Sequence, residues 1–328
     1  MAVILLKMLF LHLLFISICY EMKITYPTYL QLLLVLWCYT AHAQQEPQYT
    51  QYMYNTLTVN PGYTGSTPGL EATLLHRSQW VGIDGAPVTQ AFSIHSPVHN
   101  GKIGVGLSAV NDRLGPSDEF YVDGNVSYTL FIGKAGRLAF GMKGGVRVLN
   151  IEWSRGRFFQ GADPLLNTNI NNKINPTVGA GAYYYTDKWY AGVSVPNFIR
   201  NDYYDDIQED AIASRQHYYI ITGYVFDLAD DIKCKPAILA KIVSGAPVTV
   251  DFSANFLLQE KVTLGASYRW DDSVSALAGF QFTQNIFAGY SYDYTVTELQ
   301  KYNNGSHEII LRFNLWPKAK RVKSPRFF

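Results

Sequence analysis

From Gly69 onward, apolar and polar residues alternate with a period of two, and helical periodicity is almost absent. The stretch Gly136 to Leu149, GRLAFGMKGGVRVL, shows the pattern. Leu138, Phe140, Met142, Gly144, Val146 and Val148 hold one set of alternate positions; Arg137, Ala139, Gly141, Lys143, Gly145 and Arg147 hold the other. Successive side chains of a strand point to opposite faces, so this is a strand with one apolar and one wet face. Similar segments fall near 69–79, 88–96, 102–111, 119–131, 136–149, 176–186, 188–196, 215–227, 236–244, 247–257, 261–270, 273–283, 285–294 and 306–316, fourteen in all.

Length decides which way the apolar face turns. About ten residues at about 3.3 Å each, tilted about 45°, rise roughly 23 Å, close to the apolar band of an outer membrane. Strands of soluble sandwiches are more often about five or six residues long. The connections alternate too. With a periplasmic N-terminus, the short turns fall on one side and the longer connections 150–175, 197–214 and 295–305 on the other. Two places break the rule: 228–235 is long on the short side, and 245–246 is a tight outer turn.

Composition agrees with a membrane. Only 16% of residues are charged, where a soluble sheet protein would show many Lys and Glu on its wet faces. Twenty-four tyrosines and six tryptophans include Trp80, Trp189, Tyr190, Trp270, Tyr294 and Trp316 at strand ends, as interfacial aromatic girdles require. The expected fold is therefore an all-β transmembrane antiparallel β-barrel of about 14 strands over 69–316. Leu138, Phe140, Met142, Val146 and Val148 should face lipid, and Arg137, Lys143 and Arg147 the interior.

The first forty-three residues differ from the rest. Met22-Lys23, the apolar run Leu30 to Trp37 and Ala41-His42-Ala43 have the form of a signal peptide cut before Gln44. Residues 1–21 read as an over-extended start or as a membrane anchor interrupted by Lys7 and His12. Removing this segment leaves Cys234 as the only cysteine. No intramolecular disulfide then remains, and a closed hydrogen-bonded barrel supplies the stability instead. The formal net charge is +1, and the basic tail 317–328 is too short to suggest nucleic acid as a partner.

Catalytic signatures are missing. There is no Gly-x-Ser-x-Gly elbow, and His307-Glu308 begins a zinc-protease pattern without a second histidine. The pairs Asp205-Asp206, Asp230-Asp231 and Asp271-Asp272 fall in loops. No enzyme activity, cofactor or metal is expected. Candidate lumen charges are Asp123, Lys143, Arg147, Asp251, Arg269 and Arg312, with Asp293 and Glu308. Mixed signs cross-pair and fill an interior, unlike a wide pore of one sign.

Residues 44–68, rich in Tyr, Gln, Asn and Pro, cannot form a lipid-facing strand; they suit a lumen plug or the periplasmic rim. Within them, Gln45 to Asn55 (QEPQYTQYMYN) and Asn60 to Gly65 (NPGYTG) resemble the opening of the PorP/SprF family of Bacteroidetes outer-membrane proteins. Arg77 to Thr89 (RSQWVGIDGAPVT), Asn111-Asp112 with Gly115, Tyr292-Asp293-Tyr294 and Gly305 to Ile309 (GSHEI) resemble it as well. Glu46 stands where aspartate is usual, and Gly62 and Thr64 where alanines are expected, which leaves the PorP-like or SprF-like subfamily open.

The resemblance implies a non-enzymatic component of type IX secretion and gliding machinery. Its implied partners are a secreted adhesin-like protein with a type IX C-terminal domain, other type IX secretion components and the lipid bilayer. The alternatives are a transport barrel for small solutes and a structural anchor for the periplasmic secretion or motility ring. Candidate partner or structural positions are Tyr49, Gln51, Tyr52, Asn60, Pro61, Arg77, Trp80, Gly82, Gly85, Pro87, Asp293, His307 and Glu308. His307-Glu308 opens the last strand, where a clasp onto strand one and a partner contact are both open readings.

Overall fold

The computed structural model describes residues 46–156, 169–199, 216–243 and 246–315. The leader, Trp316 and the basic tail lie outside them. The strands are Leu70–Ser78 (β1), Val88–Val98 (β2), Ile103–Leu114 (β3), Ser117–Ile132 (β4), Gly136–Ile151 (β5), Ile170–Tyr185 (β6), Trp189–Val195 (β7) and His217–Tyr224 (β8). They continue with Phe226–Ala229 (β9), Ile232–Val243 (β10), Thr249–Leu258 (β11), Val262–Arg269 (β12), Ser273–Thr283 (β13), Ile286–Thr295 (β14) and Ser306–Leu315 (β15).

Consecutive strands pair antiparallel except β8 and β9, which both pair with β10, and β15 pairs with β1, so the sheet has no free seam. β8 and β9 form one span interrupted at Val225, which is buried and donates its N–H to Lys188 O at 2.8 Å. The result is a closed barrel of fourteen antiparallel spans. Closure satisfies every strand edge internally, the condition for crossing a bilayer with strands.

The faces are inverted relative to a soluble protein. In β5, Phe140 is 52% and Met142 61% exposed on the outside, while Arg147 is 3% exposed inside. Tyr190 departs from the expectation of a girdle. Trp189 is exposed and Tyr190 is buried in the lumen, because adjacent residues of one strand cannot share a face.

Three boundaries differ from the sequence reading. β6 starts at Ile170, not near 176, so six residues assigned to the loop 150–175 are strand. The Asn-rich start hid this: Asn150 Oδ1 accepts the Asn172 N–H at 2.7 Å where the β5–β6 register shifts. Residues 228–235 are not a long loop either; they form the β9–β10 hairpin with only Asp230 and Asp231 between strands. Charges there masked the alternation. The outer connection read as 245–246 spans 244–248. With these corrections, every connection at one rim is short and the longest all lie at the other.

Candidate functional site

Residues 46–69 lie inside the barrel. Glu46 is near the long-loop rim, where its backbone N–H meets His217 Nε2 at 3.3 Å. From there the segment descends to Leu70 at the short-turn rim. It cannot regularise into a strand, because Asn60-Pro61-Gly62 forces a turn. An α-helical turn, Thr56–Val59, leads into a 3-10 turn, Pro61–Tyr63, in which Asn60 Oδ1 accepts the Gly62 N–H at 2.8 Å. The Asn60 amide nitrogen donates to Ala182 O (3.1 Å) and Val193 O (3.4 Å), tying the turn to β6 and β7. The wall makes room with glycine: a Cβ on Gly141 would lie 2.2 Å from Pro61 C and O.

Apolar contacts fill the remainder. Tyr49, Tyr52, Met53, Tyr54, Leu57 and Tyr63 are buried with wall residues such as Tyr183, Tyr190 and Phe287. Tyr52 Oη lies 3.1 Å from Ser253 Oγ. Burial pushes the Tyr54 phenol up to about 12 and the Tyr49 and Tyr52 phenols further above the usual tyrosine range. All three are therefore neutral at physiological pH.

The segment is anchored at the seam where the sheet closes. Arg77 comes from β1, Asp293 from β14 and Glu308 from β15, and all three are buried. Arg77 Nη2 lies 2.7 Å from Asp293 Oδ2, and Nη1 lies 3.1 Å from Glu308 Oε2. Glu308 also accepts two consecutive backbone N–H groups, Thr50 on Oε2 (2.9 Å) and Gln51 on Oε1 (2.8 Å). The Thr50 hydroxyl accepts from Arg77 Nη1 (2.9 Å) and donates to Asp293 Oδ2 (2.7 Å). One cation faces two carboxylates, and the lumen segment supplies the donors that offset the extra negative charge.

Other lumen charges are spread around the barrel, most of them cross-paired. Asp123 Oδ2 accepts from Lys143 Nζ at 2.9 Å and Asp123 Oδ1 from the Thr177 hydroxyl. Arg147 lies over the Tyr121 ring at 4.3 Å, with Glu46 and Glu119 each at 3.7 Å. Arg269 bridges Asp251 (2.7 Å) and Asp272 (3.1 Å). Arg312 and Lys235 approach the Tyr54 ring, at 5.3 and 4.7 Å from its centroid. A space of about 50 Å³ lies between the segment and the wall, bordered by Glu46, Tyr49, Tyr121, Asp123, Arg147 and Tyr219. It is sized for one or two waters.

The remaining singled-out positions lie at the long-loop rim. Gln79 donates its N–H to Pro87 O (2.9 Å), Val81 to Gly305 O (2.8 Å), Asn304 to Val81 O (2.7 Å) and Gly115 to Gly85 O (2.8 Å). Trp80 donates its N–H to Ser306 Oγ at 3.1 Å. Gly82 (φ 103°) and Gly85 (φ 74°) sit in the left-handed region that this path requires. Trp80, Gly82, Gly85 and Pro87 thus zip three connections together. His307 points to the outer face, with Nδ1 2.6 Å from Tyr290 Oη, while its neighbour Glu308 points inward. The structure therefore brings together Gln51, Arg77, Asp293 and Glu308, and leaves His307 apart.

Sequence reasoning missed Thr50 and Lys235. Thr50 carries no signal beyond being polar between Tyr49 and Gln51, and Lys235 sat in the misread loop. Asp205-Asp206 lies outside the described residues. Among the described residues, no group of three or more His, Cys, Asp or Glu is placed to hold a metal.

A family model for the type IX secretion system membrane protein PorP/SprF matches residues 41–313. The chain belongs to this family. No curated protein matches it. Among solved structures, the chain is similar to the Acinetobacter baumannii outer membrane protein Omp33, at 9% identity and TM-score 0.45, over 77% of this chain and 100% of that one. It is similar to the CymD monoaromatic hydrocarbon channel, at 10% identity and TM-score 0.45, over 79% and 91%. A Pseudomonas aeruginosa FadL homologue matches at 12% identity and TM-score 0.42, over 75% and 89%. The protein is an outer-membrane β-barrel component of type IX secretion. In such barrels the short-turn rim is periplasmic and the long-loop rim faces outward.

Proposed function

We propose that this PorP/SprF barrel is a non-enzymatic holder of a partner protein rather than a conduit. It supports export or surface attachment of a secreted, adhesin-like protein bearing a type IX C-terminal domain, alongside other type IX secretion components. The observation that carries this reading is the occupied lumen. A segment of the chain's own fills it and is fixed at the seam by Arg77, Asp293 and Glu308. A solute passing through would have to displace buried, cross-paired charges, at a cost that a weakly binding small molecule does not offset.

Contact with the partner is then made at the outer mouth. The connections between β5 and β6 and between β7 and β8 supply the longest loops there; residues 157–168 and 200–215 of them lie outside the described residues. Partner recognition by these loops, or by pairing at the rim, follows ordinary peptide-recognition modes. The test is to replace both loops with short turns in the native host. Surface display of the partner should be lost while the barrel keeps its heat-modifiable mobility on gels; unchanged display would refute the contact. Mild-detergent co-purification discriminates further: recovery of periplasmic ring components in place of a secreted adhesin would favour the anchor reading.

A further inference from the structure

The lumen-facing strand glycines have internal reasons. At Gly104, Gly141, Gly145, Gly181 and Gly289, among others, a Cβ would lie within 3.0 Å of the lumen segment or of the opposite strand. Gly124 and Gly144 differ. They are opposite one another in the β4–β5 ladder and face outward, and the nearest atoms to an added Cβ are 3.7 and 3.9 Å away. Neither has a positive φ. The fold asks for glycine at neither place, yet both carry its entropic cost in a strand.

Their joint effect is a shallow depression of about 740 Å³ in the lipid-facing wall. It runs across β2 to β6, with Ile94, Val105, Leu107, Val126, Met142 and Val178 around it. The row Ile94, Leu107, Gly124, Gly144, Val178 is continuous in register, so the floor follows the hydrogen-bonding direction. The floor's backbone groups are used by the ladder, leaving nothing polar for an occupant to satisfy. At the periplasmic rim, the turns that flank β3 and β4 carry the exposed cations Lys102 and Lys134.

We propose that this depression holds one acyl chain of an inner-leaflet phospholipid, with its anionic headgroup drawn to Lys102 and Lys134. The volume is within the range of a single-ligand site, and the walls are those of a hydrocarbon. Two glycines make the groove by leaving out side chains, and the rim cations select for charge. The proposal stands apart from the identity of any secreted partner.

Electron spin resonance with chain-labelled lipids tests it, on the full mature chain in vesicles. The wild type should show an immobilised component, larger with labelled phosphatidylglycerol than with labelled phosphatidylcholine. G124L/G144L should shrink that component to the shell restricted by the rest of the wall while keeping heat-modifiable mobility, and K102Q/K134Q should lose the preference for phosphatidylglycerol. Should the leucine variant fail to fold, G124A/G144A keeps the test alive, with a partial loss expected. An immobilised component unchanged by filling the groove overturns the proposal. So does a halving of particle mass by light scattering on filling it, which would make the face a contact between two copies.

Discussion

Arg77 in β1 and Glu308 in β15 stand directly opposite each other across the strand pair that closes the barrel, with Nη1 3.1 Å from Oε2. The same carboxylate receives the backbone of Thr50 and Gln51. One buried contact thus joins the two ends of the sheet and fixes what fills its middle. Both residues lie in the outer half of the lumen, where their neighbours Asp251, Arg269 and Asp272 are also paired.

Removing the cation leaves two buried carboxylates without their counter-ion. Arg77→Ala should destabilise the barrel by about 3–5 kcal/mol, the usual effect of breaking a buried pair from one side. Urea unfolding from vesicles measures it. Adding Glu308→Gln to Arg77→Ala should cost less than the sum of the single changes, since the two share one network.

A closed lumen has an electrical consequence. The intact protein in planar bilayers should show no steady conductance, and a chain lacking residues 46–66 should conduct. Conductance of the intact, folded protein comparable with that of the deletion would end the holder reading in favour of solute transport.

Glycines on the two faces should respond oppositely to the same methyl group. Gly141→Ala places a Cβ against the Pro61 backbone and should cost about 1–3 kcal/mol by overpacking. Gly124→Ala meets only an ordinary van der Waals contact, with Gly144 O at 3.7 Å, and should be neutral or stabilising by about 0.5–1 kcal/mol. Paired unfolding curves compare them.

Asn60 fixes the turn to two strands at once. Asn60→Ala leaves the Ala182 carbonyl short of a donor and should cost about 1–3 kcal/mol. The loss should appear locally, as faster protease cleavage within residues 46–69 while the barrel itself stays intact.

The Tyr54 phenol is raised to about 12 in the folded protein from 10.0, by burial first of all. Its contribution is fully present below pH 10 and is lost as pH rises toward about 12, because the unfolded chain ionises first. Tyr54→Phe should flatten that part of the alkaline transition, read by near-ultraviolet circular dichroism. An identical transition in the variant would remove Tyr54 from the account.

Much of the architecture was legible without coordinates because a strand's alternation is a local property. Phe140 and Met142 against Lys143 and Arg147 is enough to define two faces, and the ten-residue lengths are enough to indicate a bilayer. Legibility failed where charge interrupted the alternation. Asp230, Asp231 and Lys233 hid the β9–β10 hairpin, and Asn171 and Asn172 hid the start of β6. Trp189 and Tyr190 show the same limit at a single step: both are aromatic at a strand end, and only the pleat assigns one outward and one inward.

The barrel, its strand number and the family could be read from the chain alone, since each depends on neighbours along the chain or on short motifs. The fold alone settled that Arg77, Asp293 and Glu308 meet around Thr50 and Gln51, because residues separated by more than two hundred positions become adjacent solely through closure. It also decided that residues 46–69 lie within the cylinder, since their polar and aromatic side chains would suit a rim equally well. That placement follows from the missing side chains of Gly141 and Gly181 and the open carbonyls of β6 and β7.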